Sequence, residues 1–318
     1  MGLRSRIAIR RARPAAATTV TETSRQVSDV AATRHPSAPS PRPEAETITR
    51  VEPAVGVLRS PELGEVWRRR ELLYFLALRD VKVRYKQTAF GVSWALLQPV
   101  LMVLLFSLVF GRLAKIPSAG LPYPVFAFAA LVPWTFFANA VTAGSNSVVA
   151  TPNLVTKTYF PRVLMPLASV LSGLPDVAIA TVVLIVTTFA YGIVPGPQAI
   201  LIVPLLLLAL LAATGVALVL GALNVEYRDV RYALPFLIQL WLFATPVVYP
   251  SSLAGEPWRT IIGINPMAGV VEGFRWALLG EKPAPNSLLL VSIGATVILV
   301  AVGLLYFRRV EDRFADVI

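Results

Sequence analysis

Ile200-Leu-Ile-Val-Pro-Leu-Leu-Leu-Leu-Ala-Leu-Leu-Ala-Ala-Thr-Gly-Val-Ala-Leu-Val-Leu220 runs without one charged side chain. As a helix, a run of roughly 18 or more apolar residues matches a hydrocarbon core about 30 Å thick. In lipid each backbone N–H and C=O must be satisfied inside its own segment, so such a run becomes a helix. Comparable stretches cover 94–110, 125–141, 164–191, 233–249 and 287–307, which with 200–220 makes six. The stretch 164–191 is long enough to tilt, or to continue past the bilayer as a helix at its surface. The fold class expected is an all-α integral membrane protein with six transmembrane helices.

Composition agrees. Hydrophobic residues make up 56% of the 318 residues and charged residues 15%, where a soluble domain carries about 25% charged. Mean hydropathy is +0.67. The net charge of +11 does not indicate nucleic acid. Much of the excess (Arg4, Arg6, Arg10, Arg11, Arg13, then Arg68, Arg69, Arg70, Arg79, Lys82, Arg84, Lys86) precedes the first apolar stretch. Positive charge there fits the positive-inside rule and contact with anionic membrane lipids. With no cysteine and one histidine, His35, the chain has no material for a disulfide, a thiol centre or a multi-His metal site. Residues 1–20 carry arginines but no apolar segment of the secretory type.

Residues 1–58 are polar, and His35-Pro-Ser-Ala-Pro-Ser-Pro-Arg-Pro43 cannot hold helix or sheet. They read as a disordered cytosolic tail, and 59–318 as the transmembrane domain. Ser60-Pro61 supplies an N-cap and a first helical residue. Leu63, Val66, Trp67, Leu73, Leu78, Val81 and Tyr85 then recur near a 3.6-residue period among basic residues. This predicts an N-terminal amphipathic interface helix over 62–86, lying in the membrane interface or docked on protein.

Six spans with a cytosolic N-terminus put both termini in the cytosol. The inside loops then hold Lys157 and Arg162, Arg228 and Arg231, and Arg308, Arg309 and Arg313, while Arg112 and Lys115 fall outside. The asymmetry agrees with that orientation in sum. Segments 151–162 and 224–231 are inside connections, either plain loops or docking surfaces for a cytosolic partner. The outside connection 250–286 is different. Asn265 as N-cap, Pro266 at the first helical position and Gly280 as terminator define a helix too short to span. It is read as re-entrant or interfacial, with Glu272 and Arg275 able to pair three residues apart.

No G-x-x-x-x-G-K-[ST] phosphate loop occurs in the sequence, so the chain does not bind ATP in that way. There is also no catalytic triad or metal-ligand set. Asp176 is the main acid inside an apolar stretch, a candidate proton relay, but with no second acid or matching base evident nearby in sequence. Phe106, Phe110, Trp134, Phe137, Trp241 and Phe243 are candidate channel aromatics on which sugar rings would stack. They equally fit an interfacial aromatic belt.

Arg79-Asp-Val-Lys-Val-Arg-Tyr-Lys-Gln-Thr-Ala-Phe-Gly-Val-Ser-Trp94 resembles the lead-in segment of the membrane (permease) subunits of type-2 ABC exporters for O-antigen, teichoic acid and other surface polysaccharides. That segment reads R-D-[IV]-K-x-R-Y-[KR]-x-[ST]-x-L-G-x-x-W, with Phe90 here replacing Leu. Gln98-Pro99, the segment 157–166, Asn265-Pro266 and the N-x-x-x-R-D pattern from Asn224 to Asp229 are similar too. The similarity covers roughly 62–318.

The resemblance implies a half-transporter in the cell (inner) membrane. Two copies would pair with two copies of a separate P-loop ATPase, and ATP and Mg2+ would bind there rather than on this chain, which would not itself be an enzyme. The substrate would be a lipid-linked glycan. Arg79, Lys82, Arg84, Tyr85 and Lys86 would then meet its headgroup, although topology alone also explains the basic residues. Asn153, Lys157, Tyr159 and Arg162 would form the ATPase-coupling segment. Asn265, Pro266, Glu272 and Arg275 would belong to the outer re-entrant helices. The rival readings are an exporter of a drug or small lipid with the same architecture, a stand-alone ion-coupled transporter and a membrane-embedded enzyme of glycan assembly.

Overall fold

The computed structural model describes residues 63–86, 93–151, 160–227, 229–255, 257–280, 284–311 and 313–314. The expected tail, the Ser60-Pro61 cap, and Asn153, Lys157 and Tyr159 lie outside those residues. Regular structure among the described residues is helical, without strands. Two helices, α1 (Leu63–Arg68) and α2 (Arg70–Lys86), precede the apolar region. Next come α3 (Ser93–Phe106), continued by π-helical turns over Ser107–Leu113, and α4 (Tyr123–Ala150). The chain continues through α5 (Leu164–Leu171), α6 (Leu174–Ala190) and α7 (Ile202–Glu226). After α8 (Val230–Ala244) and the short α9 (Trp258–Ile262) come α10 (Pro266–Leu279) and α11 (Asn286–Glu311).

Four runs are long and apolar enough to cross a membrane: Tyr123–Ala150, Leu164–Ala190, Pro197–Glu226 and Asn286–Glu311. The apolar helices Leu97–Leu113 and Val230–Ala244 are shorter. The stretch at 164–191 is two helices rather than one. Its break falls at Gly173, where a Cβ would stand 3.2 Å from the Phe136 ring, a tight contact, and Pro175 restarts the helix in its first turn. The stretch at 233–249 ends its helix at Ala244. The stretch at 125–141 is extended instead, to Ala150. Its polar end, which reads in sequence like the edge of a span, is helical too, and its polar side chains find partners by bonding back to carbonyls of their own helix. Thr142 Oγ1 donates to Ala138 O at 2.8 Å and Asn146 Nδ2 to Thr142 O at 2.8 Å.

α4 is the central post. Val125 to Val132 are buried without interruption, a helix apolar on every side because it is covered on every side. α7 lies along α4 and α11 lies along α7. Small residues set the approach. A Cβ on Gly303 of α11 would stand 2.6 Å from the carbonyl oxygen of Gly215 in α7, so two backbones meet directly there. At one end of the post a second cluster gathers Leu76 of α2, Val148, Phe160, Val163, Leu164, Phe307 and Phe314. The other end holds α10 against the start of α4.

The interface helix is interrupted at Arg69; of its expected apolar stripe Leu73, Leu78, Val81 and Tyr85 are half-buried, alongside Leu72, Ala77, Asp80 and Arg84 and the buried Leu76, while Trp67 departs from the pattern and is exposed, as are Tyr74, Phe75 and Val83. α2 packs on α5, and the exposed Trp67 belongs to α1, before the break at Arg69.

The close approach gives a paired test. Gly303→Ala should cost about 1–3 kcal/mol by overpacking and lower the Tm of the detergent-purified chain. Gly294→Ala, with nothing within 4 Å of the new methyl group, should leave Tm unchanged or slightly raised.

Candidate functional site

The last turn of α2 meets the first turn of α6. Arg84 Nη1 donates to Asp176 Oδ2 and the Tyr85 hydroxyl donates to Asp176 Oδ1. Arg84 Nη2 also reaches Ser172 Oγ at 3.2 Å. Ser169 Oγ donates to Asp80 Oδ2 at 2.9 Å, and Arg79 pairs with Asp80 Oδ1 at 2.9 Å. The expectation that Asp176 lacks a matching base is therefore wrong. Its cation lies 92 residues earlier, beyond what local sequence can display, and the α5–α6 break brings the two together. Burial, reinforced by the bond to Asp176, pushes the Tyr85 hydroxyl up to about 12. It therefore keeps its proton at physiological pH and acts as a hydrogen-bond donor.

Behind this pair lies a cavity of about 380 Å³ between α2, α3, α4 and α6. Arg84, Tyr85 and Asp176 line it together with Gln98 and Pro99 of α3 and Thr135, Asn139 and Thr142 of α4. The three α4 residues fall at spacings of four and three, on one helix face. That spacing inside an apolar helix is a legible signal that the motif reading passed over. Thr135 and Thr142 donate to carbonyls of their own helix.

The other predicted residues separate. Lys82 and Lys86 are exposed on α2, away from the cavity lining. Arg162 is bound to the end of α11: its backbone N–H donates to Glu311 Oε1 at 2.7 Å and its Nη1 to the Glu311 carbonyl. The six aromatics do not form one lining within a single chain. Phe106, Trp134 and Phe137 are buried. Phe106 stacks edge-on with Phe110 at 5.3 Å, and Phe137 with Trp241 at 5.2 Å. The Phe137–Trp241 contact joins α4 to α8, and Phe243 is the exposed member.

At the opposite end of α4, Asn265 caps α10 as predicted, its Oδ1 accepting from Met267 N at 3.1 Å, with Gly280 closing the helix at φ +69°. The same Oδ1 accepts from Trp241 Nε1 at 3.1 Å, and Asn265 Nδ2 donates to Thr245 Oγ1 at 2.8 Å. Glu272 and Arg275 pair at 3.2 Å. Arg275 is fully buried and donates to the carbonyls of Pro246 and Val247 at 2.7 Å each, and to those of Tyr249 and Phe126 at 3.3 Å. Its Cζ lies 3.5 Å from the Phe126 ring centroid, a cation–π contact. A residue that the sequence reading treated only as part of a motif is Asn224. It is buried, and its Nδ2 donates across to Ser145 O at 3.0 Å and Asn146 Oδ1 at 3.1 Å, joining α7 to α4.

A family model described as ABC-2 type transporter matches residues 71–279. Relatives extend over most of the chain. O-antigen export system permease protein RfbA of Myxococcus xanthus is 30% identical over 257 residues, 79% of this chain and 97% of the relative. RfbA of Klebsiella pneumoniae is 28% identical over 78% of this chain and 95% of its own length. Polysialic acid transport protein KpsM of Escherichia coli is 21% identical over 74% and 92%.

The buried guanidinium gives the stability test of this region. Arg275→Leu strands the carbonyls of Pro246, Val247 and Tyr249 and the Glu272 carboxylate, a loss of about 3–5 kcal/mol for breaking a buried pair. The expected outcome is aggregation on size-exclusion chromatography in mild detergent, where the parent chain elutes as one species.

Proposed function

The chain belongs to the ABC-2 type transporter family, and from that premise we propose that it is the membrane subunit of an ATP-driven exporter of a lipid-linked cell-surface polysaccharide. The observation that carries the reading is the 30% identity to an O-antigen export permease over 97% of that protein's length. The family match over residues 71–279 takes in α2 from Glu71 and all of α10, not one motif.

Energy would come from elsewhere, since the sequence has no G-x-x-x-x-G-K-[ST] loop. A separate P-loop ATPase, present in two copies with its ATP and Mg2+, would dock below two copies of this chain in the cell membrane. The end holding α2 would face the cytosol, with both termini there. The shorter helices Leu97–Leu113 and α8 would complete six spans, and α9 and α10 would form the re-entrant outer element. At 14 residues, α10 is about 21 Å long, short of the bilayer core.

Coupling is mechanical in this reading. The segment containing Asn153, Lys157 and Tyr159 would receive the ATPase motion. Arg162, tied to Glu311, would pass it into the base where α2, α4, α5, α7 and α11 meet. A stand-alone proton-coupled carrier fits less well, because Asp176 is engaged by Arg84 and Tyr85 instead of facing a second acid.

A pull-down of the tagged chain in mild detergent, read by mass spectrometry, should recover a stoichiometric P-loop ATPase. A chain that stays alone after crosslinking in intact membranes would overturn the half-transporter. Lys157→Glu should weaken ATPase docking and leave insertion intact; unchanged co-purification and export would remove the coupling role. Arg162→Glu is the less clean variant because it also loses the Glu311 contact.

A further inference from the structure

The joint between α4 and α7 is made at close range and leaves complementary polar groups unused. Among the described residues, Ser145 Oγ of α4 and Asn224 Oδ1 of α7 are the buried side-chain atoms without a hydrogen-bond partner. Both residues are closed to solvent, at 0% and 2% exposure. An unpaired polar atom in such a place costs about as much as a lost hydrogen bond, and its persistence calls for a reason. The usual remedy is at hand and is not taken. Thr142, Ser147 and Thr151 of the same helix all donate to carbonyls three or four residues back.

The two unused groups are a donor and an acceptor on residues that already touch. Asn224 Nδ2 donates to Ser145 O at 3.0 Å and to Asn146 Oδ1 at 3.1 Å, which leaves the carboxamide oxygen beside a serine with a free O–H. The surrounding seam is built of small residues. A Cβ on Gly144 would stand 2.7 Å from Ala217 Cβ, and one on Gly221 would lie 3.7 Å from Gly144 O and Ser145 Cα. No large side chain is keyed across these positions, so a short slide of one helix along the other meets no interlock. Asn146 can release its partner at little cost. It is half-buried and lines a cavity of about 150 Å³, where its oxygen meets water.

We propose that the α4–α7 joint is a two-state shear switch. In the second state Ser145 Oγ donates to Asn224 Oδ1, and Nδ2 gives up Asn146 Oδ1. One neutral hydrogen bond is exchanged for another, so the two states lie close in free energy and a modest bias moves the balance. The place of the switch suits such a bias. Asn224 stands at the end of α7 that opens the 224–231 connection, and Ser145 one to two turns before the end of α4 that leads to 152–159. The switch itself rests on the packing; its place in an export cycle rests on the transport reading above.

The test uses the full chain in nanodiscs with a trifluoromethyl label on Glu226→Cys, an exposed position in a sequence with no other cysteine. Fluorine NMR of the parent should show two resonances. Ser145→Ala removes a bond made only in the second state and should deplete that resonance about fivefold, the worth of one neutral hydrogen bond. Asn146→Ala removes an acceptor used only in the first state and should enrich the second by a similar factor. Because the hydroxyl is idle in the first state, Ser145→Ala should leave the Tm unchanged or raised. Opposite shifts in the two variants establish the switch. One resonance in the parent, or shifts of the same sign, overturns it. A lowered Tm for Ser145→Ala with unchanged populations also overturns it and makes the pair a fixed joint, closed by a trapped water or by the carbonyl of Val141. In the complex with its ATPase, a non-hydrolysable ATP analogue should change the ratio of the resonances, and an unchanged ratio overturns the role in the cycle. Two resonances in a chain that recovers no ATPase leave the switch standing and sink the transport reading.

Discussion

Arg275 is where this chain is allowed to stop being a helix. Between Ala244 and Ser251 the backbone leaves α8 and turns toward α9, so its carbonyls lose the partners a helix supplies. In an apolar surrounding each unpaired carbonyl costs free energy comparable to a lost hydrogen bond. One guanidinium collects Pro246, Val247 and Tyr249, and also Phe126 at the start of α4. Glu272 balances the charge and accepts from Ser251 N at 3.0 Å. Without that hub, α8, α10 and the top of the central post would share no polar joint of comparable reach. Smaller joints add to it at the same end, the Tyr123 hydroxyl donating to Val248 O at 2.9 Å and Asn265 Nδ2 to Thr245 Oγ1 at 2.8 Å.

The same economy governs the opposite end. Asp176, Arg84, Tyr85, Ser172, Ser169, Asp80 and Arg79 form a continuous run of contacts from α2 to α6. Apolar packing orders the middle of the molecule, and polar joints fix its two ends. This division suits a protein whose middle lies in hydrocarbon. There, hydrophobic burial gives helices little reason to prefer one another over lipid, and close packing with a few hydrogen bonds sets the arrangement.

What could be read in the sequence was whatever depends on neighbours a few residues apart. Apolar run length gave the helical class, Asn265-Pro266 and Gly280 bounded α10, and a three-residue spacing paired Glu272 with Arg275. What depends on distant residues stayed hidden. The Arg84–Asp176 pair, the Asn224 bridge and the carbonyl targets of Arg275 all join segments tens of residues apart or more. The extension of α4 to Ala150 misled for another reason: Thr142 and Asn146 look like loop residues in composition, yet they feed hydrogen bonds to their own helix. The Thr135, Asn139 and Thr142 face was visible by period, and a search restricted to charge and aromatics overlooked it.

The hydroxyl of Ser292 in α11 carries a consequence for biosynthesis. It donates toward Gly263 O at 3.0 Å and Asn265 O at 3.1 Å, and accepts from Gly269 N at 3.0 Å. These three backbone groups belong to the short α9–α10 region, which is translated first. Until α11 emerges, that region lacks the oxygen that settles its turn, and α7 lacks the neighbour that covers Gly215. Consolidation of the α9–α10 region therefore waits for α11, the element translated after it, whose Ser292 completes its backbone contacts.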